Sequence, residues 1–327
     1  MDLLSAASDI PRSSLAEATK ALALDHGIYL GTSSWKYPGW LGTLYDEQRY
    51  LYRGKLAETR FERECLSEYA EVFPSVCVDA GYYRFPSPQY IDGLVRQVPA
   101  HFRFSFKVTD DITARTFPNL PRHGAKAGQR NEHFLDADLF KAAFLSSLRP
   151  HQANIGVIIF EFSHFHPRDF ERGRDFLELL EPFLAAMPTG WQYAIEVRNK
   201  TLLCQPYFDL LQRYEVAHLF NHWDRMPPIG EQAELPGAHT TDFSAARLLL
   251  KPGRNYEEAV KNFSPYSTTK ELNEPARSAA AQLIHYRQQR AKTGGQRRSY
   301  LYVNNRLEGN ALNTILGILA LAAKEQA

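Results

Sequence analysis

Eight short apolar runs punctuate this chain, and no other feature narrows its fold so far. The clearest are IYLGTS at 28–33, FRFSFK at 102–107, IGVIIFE at 155–161, WQYAIEVRN at 191–199 and YLYVNN at 300–305. A strand that is apolar on both of its faces must be covered on both sides, as the strands of a parallel sheet are. Helical stretches separate the runs, so the order reads strand, helix, strand, helix. Strands are predicted at 28–33, 76–80, 102–108, 155–162, 192–197, 216–221, 246–251 and 299–303. That pattern predicts an α/β fold of the TIM type, a (β/α)8 barrel of parallel strands inside a ring of helices. In such a barrel the residues that end the strands meet at one rim, where barrel chemistry is done.

One barrel with insertions accommodates most of the 327 residues. Residues 1–26 read as a helical appendage, with Ser13 and Ser14 suited to capping LAEATKALAL, and 27–327 as a single barrel domain. The stretch 109–131, with Pro118, Pro121, Gly124 and Gly128, is too long for an ordinary connection and reads as a functional or mobile loop. A second irregular insertion is expected at 252–266.

Basic and acidic residues nearly cancel, 38 against 37, which argues against nucleic acid or an anionic membrane as partner of the whole surface. Cys65, Cys77 and Cys204 are scattered, without a CxxC pair, and read as reduced thiols in or near the core. The beginning of the chain carries neither a basic cluster nor a long apolar run, and no segment reaches the ~20 apolar residues of a membrane span. A cytoplasmic protein is the expectation.

Glu161 and Glu196 form the sharpest pair of candidates, because each ends an apolar run and neighbouring strands lie ~4.8 Å apart. Facing carboxylates suit proton transfer, nucleophilic attack or a shared cation. The competing structural reading ties each to an arginine, and Arg198 stands two residues beyond Glu196. Lys107 and Lys251 end two further runs, where a lysine serves as anion clamp, proton donor or solvated rim charge. KPGRNY (251–256) and NNRLEG (304–309) close the last two runs, and their Lys251, Arg254 and Arg306 suit a phosphate. Asn304 and Asn305 need partners if buried. His222, beside Asp224, reads as a satisfied loop histidine more readily than as a base. Trp35, Tyr37, Trp40, Tyr82 and Tyr83 follow the first two runs, as a plug over the mouth or as walls for a ring, and Asp79 ends the second run.

With these residues assembled, the chain resembles the family called domain of unknown function 72, or YecE-like. The resemblance rests on GTSSWKYPGW, FRFSFKVTDDIT, IGVIIFEF, YAIEVRN and YVNNRLEGNA, spread from Ile28 to the last helix. It implies a TIM-type barrel with a polar, acidic mouth, but supplies no established reaction. It also implies that Trp35, Asp79, Lys107, Glu196, Arg198, Asn304 and Asn305 occupy the family's recurrent mouth positions. Asp79 in place of glutamate, DITARTFPN in the loop after the third run and LLLKPGRNY in the seventh depart from the family pattern and imply a divergent subgroup.

The expectation is an enzyme, of hydrolase, isomerase or lyase type, acting on a small polar, phosphorylated or sugar-like molecule. Glu161, Glu196 and Lys107 would be catalytic, and Trp35, Asp79, Tyr83, Arg198, His222, Lys251, Arg254, Asn304 and Asn305 would bind substrate. No metal ligand is assigned: a divalent ion is conceivable between the glutamates but not favoured, since the eighth run ends in amides. The alternatives are a non-catalytic metabolite-binding barrel and a nucleic-acid partner engaged through KTGGQRR at 292–298.

Overall fold

A computed structural model of the chain describes residues 12–291 and 298–324. Its centre is a closed barrel of eight parallel strands: β1 (Ile28–Ser33), β2 (Ser75–Val78), β3 (Arg103–Lys107), β4 (Ile155–Phe162), β5 (Gln192–Val197), β6 (Ala217–His222), β7 (Ser244–Leu248) and β8 (Ser299–Val303). Each pairs with the next, and β8 closes on β1 through Ile28 opposite Ser299 and Thr32 opposite Val303. A two-stranded hairpin, Leu51–Tyr52 with Lys55–Leu56, stands outside the ring.

The alternation of side chains along each strand sorts the core into two parts. Cys77, Val157, Ile159, Ala194, Ala217, Leu219, Ala245, Tyr300 and Tyr302 pack together inside the barrel. Their neighbours, such as Val76, Phe104, Phe160, Ile195, Phe220, Leu248 and Leu301, face outward and bury against the helices. The interior is polar where a ring needs it. Tyr302 spans the barrel to Ser75 at 2.7 Å and Ser105 at 2.5 Å, which satisfies its hydroxyl without water. Burial pushes the Cys77 thiol up to about 12, so it is an inert filler. All three cysteines are free.

The helix Arg12–His26 buries Leu15, Thr19 and Leu22 against β1 and the helix Glu58–Val72. Thr19 Oγ1 donates to the Val72 carbonyl at the end of that helix. The expected first, fourth, fifth and eighth strands fall on the observed ones. The seventh does not. Residues 246–251 were expected, but the strand ends at Leu248, and Leu249 and Leu250 instead bury against Ala259 and Phe263 of the following insertion. Their apolarity belongs to loop packing, not to the ladder. The stretch 109–131 is irregular, with short helical turns at Asp110–Thr113 and Pro121–Lys126. Residues 292–297, which hold most of the basic stretch, lie outside the described residues. Among the described residues, no helix is long and apolar enough to cross a membrane.

His218 faces out from β6 into Tyr207, Phe208 and Phe220, with Nδ1 3.2 Å from the Tyr207 hydroxyl. Burial lowers its pKa to about 3, so it is neutral in the fold, whereas in the unfolded chain it takes a proton below about 6.5. The unfolded state therefore binds the extra proton, and stability falls as pH drops from 6.5 toward 3, by about 1.4 kcal/mol per pH unit for this group. Urea unfolding between pH 7 and 5 should show this decline, and His218→Phe should remove one proton's worth of the slope.

Candidate functional site

The same alternation sets one inward residue at the C-terminal end of every strand. They are Ser33, Asp79, Lys107, Glu161, Glu196, Asn221, Arg247 and Asn304, each two positions beyond an inward residue of the layer below or in phase with it. The barrel interior thus changes from a mainly apolar filling to a wholly polar last layer. Nothing in barrel packing requires this, since branched apolar side chains ordinarily fill such layers.

The layer has two halves. On the β2–β5 side it is charged and closed by ion pairs. Glu161 and Glu196 are direct cross-strand neighbours. One oxygen of Glu161, Oε2, receives Lys107 Nζ at 2.7 Å, Arg198 Nη2 at 2.8 Å and Arg247 Nη1 at 2.9 Å. Glu196 is fully buried and is held by Arg247 Nη1 at 2.6 Å and by Arg198 Nε and Nη2 at 3.2 and 3.1 Å. Arg247, 2 % exposed, comes from β7 on the far side and reaches across the barrel, its Nη2 ending 3.1 Å from Asp79. Three carboxylates and three cations therefore balance in a nearly dry cluster. Aromatic faces finish it: Lys107 sits 4.0 Å over Tyr82, and Arg198 sits 3.8 Å over Trp223.

Burial by itself pushes the Glu161 carboxyl up, but Arg198, Lys107 and Arg247 outweigh it and hold it well below the usual carboxylate range. Burial likewise opposes the charge on Lys107, yet Glu161 and Asp79 raise its pKa and keep it an ammonium. Glu161 is accordingly an anion at neutral pH, and Lys107 is its buried cationic partner.

On the β6–β1 side the layer is buried and uncharged apart from the stem of Arg247. Buried polar atoms without a partner among the described residues include Ser33 Oγ, Trp35 Nε1, Asn221 Oδ1, Arg247 Nε, Asn304 Nδ2 and Asn305 Nδ2. All belong to residues at or within two positions of the ends of β1, β6, β7 and β8, four strands adjacent in the ring. The two amides are fixed by their oxygens. Asn304 Oδ1 accepts from Arg306 N at 2.9 Å, and Asn305 Oδ1 accepts from Ala311 N at 2.7 Å, at the start of the helix Ala311–Lys324. Their NH2 groups are left over. Trp35 Nε1, Arg247 Nε and the two Nδ2 atoms can only donate, and Asn221 Oδ1 can only accept. An occupant of this half must be rich in acceptors.

Of the residues expected at the site, Asp79, Lys107, Glu161, Glu196 and Arg198 come together in one cluster, and Asn304 shares their layer. Four others fall elsewhere. Lys251 lies past the end of β7, half exposed, 2.6 Å from Glu271, and Arg254 pairs with that same carboxylate, so both form a separate rim pair. His222 is out of phase with Asn221 and turns outward, its Nε2 3.4 Å from Asn273 Nδ2, with burial lowering its pKa to about 4. Tyr83 is exposed beneath Arg122 at 5.0 Å, and its neighbour Tyr82 is the ring that covers Lys107. The central residue, Arg247, escaped sequence reasoning. Its signal was the lone arginine inside SAARLLL, two places after the inward Ala245. Among the described residues, no group of three or more His, Cys, Asp or Glu side chains is arranged to hold a metal ion.

The family model described as a protein of unknown function, DUF72, matches residues 29–327. Among solved structures, the chain is similar to a DUF72 family protein from Enterococcus faecalis, with 17% identity, 90% of this chain and 95% of that one covered, and a TM-score of 0.60. It is also similar to one from Thermotoga maritima, with 16% identity, coverage of 92% and 100%, and a TM-score of 0.55. Among curated proteins, none matches this sequence.

Removing the cation that three carboxylates share leaves buried charge uncompensated. Arg247→Leu should lower the unfolding free energy by about 3–5 kcal/mol in chemical denaturation. Adding Glu196→Gln to it should recover a large part of that loss, because Glu161 and Asp79 then balance Lys107 and Arg198.

Proposed function

The chain belongs to the DUF72 family, and on that footing we propose that its barrel mouth takes a small, acceptor-rich molecule, bearing carboxylate, phosphate or several hydroxyl oxygens, and acts on it chemically. The observation that carries this reading is the divided polar layer, an ion-paired half beside a half whose buried donors have no partner among the described residues. Unpaired buried donors cost about 1–3 kcal/mol each, a cost that a bound acceptor removes. A buried ion cluster is likewise poor stabilisation compared with apolar packing, and such clusters concentrate at functional sites.

The chemistry follows from the charge states. Glu161 is held ionised, so it positions Lys107, Arg198 and Arg247 and does not serve as an acid. Lys107, protonated and shielded by Tyr82, suits donation of a proton or polarisation of a ligand oxygen. Asn304 orients the ligand through its NH2 group. The proton-transfer role expected of both glutamates therefore passes to Lys107, with the carboxylates as its electrostatic support.

Thermal shift of the full-length protein against carboxylates, phosphorylated sugars and polyols tests the binding half of this proposal. A true ligand at about 100 times its Kd adds about 2.7 kcal/mol of stability and raises Tm by several degrees. Asn304→Leu should abolish the shift. Conversion of the stabilising compound should fall about 100-fold or more in Lys107→Met, with affinity changed only a few-fold. Stabilisation by apolar or cationic compounds alone would contradict the reading, and binding without any conversion would assign the mouth to sensing rather than catalysis.

A further inference from the structure

Beside the mouth, a cleft of about 610 Å3 opens between the loops that follow β4 and β5. Its floor is aromatic. Phe165, Phe170 and Phe176 pack ring against ring, with centroids 4.9 to 5.6 Å apart, and the first two remain partly exposed. Its rim is basic, with Arg172, Arg198, Lys200 and Arg225 against Glu171 among the lining residues. Arg172 pairs with Asp175 at 2.8 Å and Arg225 with Asp224 at 3.6 Å, both on the open surface where such pairs are weak and exchange readily. Lys200 is exposed and makes no ion pair among the described residues. Gly173, the first residue of the helix Gly173–Ala185, also lines the cleft, so the positive end of that helix adds to the field.

Arg198 is the wall that cleft and mouth share. Its Nε and Nη2 are committed to Glu196 and Glu161, Nη1 takes no part in those bonds, and the side chain lines the cleft. A ligand spanning both spaces would touch the charged layer through this guanidinium.

We infer that the cleft is a second subsite, for an aryl or heteroaryl group that carries a phosphate. The ring lies on the phenylalanine floor, and the phosphate sits between Lys200, Arg225 and Arg172. The volume is that of an ordinary small-molecule pocket. The inference rests on the reading of the mouth as a site for acceptor-rich molecules, which it extends by naming what the rest of the ligand carries.

Titration calorimetry on the full-length protein with phenyl phosphate and inorganic phosphate tests it. Phenyl phosphate should bind about tenfold tighter or better than inorganic phosphate, because only it uses the floor. Lys200→Glu with Arg225→Glu, both exposed positions, should weaken it about tenfold or more, and Phe165→Ala should erase the preference for the aryl compound. Lys251→Glu, in the separate rim pair with Glu271, should leave phenyl phosphate affinity within about twofold. Equal affinity for the two phosphates, indifference to charge reversal at Lys200 and Arg225, or an equal loss in Lys251→Glu would each overturn the inference. Retained phenyl phosphate binding in a protein whose mouth takes no acceptor-rich compound would remove the reading of the mouth and leave the subsite standing.

Discussion

The reach of Arg247 across the barrel axis organises the upper end of this molecule. From β7 its guanidinium touches Glu161, Glu196 and Asp79, which belong to β4, β5 and β2. Taking those charges out of water is costly, and the cost is met only because each carboxylate has a cation at hydrogen-bonding distance. Lys107 and Arg198 complete the balance. The arrangement leaves both glutamates ion-paired and fixes Lys107 as a protonated group, so the chemistry available to the mouth is set by this one crossing side chain.

The layer's asymmetry matters as much as its charge. Strands β2–β5 carry the neutralised cluster, whereas the ends of β6, β7, β8 and β1 carry buried donors without a partner among the described residues. On the proposed reading, an occupant meets that side of the rim and presents acceptors to those donors. The phenylalanine-floored cleft lies on the other side, behind Arg198, so the two spaces flank the charged cluster rather than coincide. Membership of the DUF72 family goes with the barrel; it leaves the mouth and its ligand to be argued from atoms.

Much of this was legible in the sequence for physical reasons. Parallel strands must be apolar on both faces, so β4, β5 and β8 stood out, and the two glutamates that end β4 and β5 are direct neighbours as their positions implied. The failures are equally physical. The run SAARLLLK looked like a strand ending in Lys251, because Leu249 and Leu250 are as apolar as ladder residues while burying in a loop. That offset hid Arg247 and promoted Lys251 and Arg254, which answer to Glu271. His222 shares a strand end with Asn221, but strand parity turns it outward to Asn273. Tyr82 and Tyr83 are adjacent in a short turn, and only the packing of Lys107 decides which of them faces the site. Composition cannot supply parity within one residue, and ion pairs between strands distant in sequence appear only once the ring is closed.

The most direct test is an experimental electron-density map of the mouth, at a resolution that shows ordered solvent and small ligands. The account predicts density for an oxygen-bearing molecule or anion within hydrogen-bonding distance of Asn304 Nδ2 and Arg247 Nε, with Arg247 still bridging Glu161, Glu196 and Asp79. A dry mouth, in which those donors turn to protein acceptors and the arginine leaves the carboxylates, would contradict it.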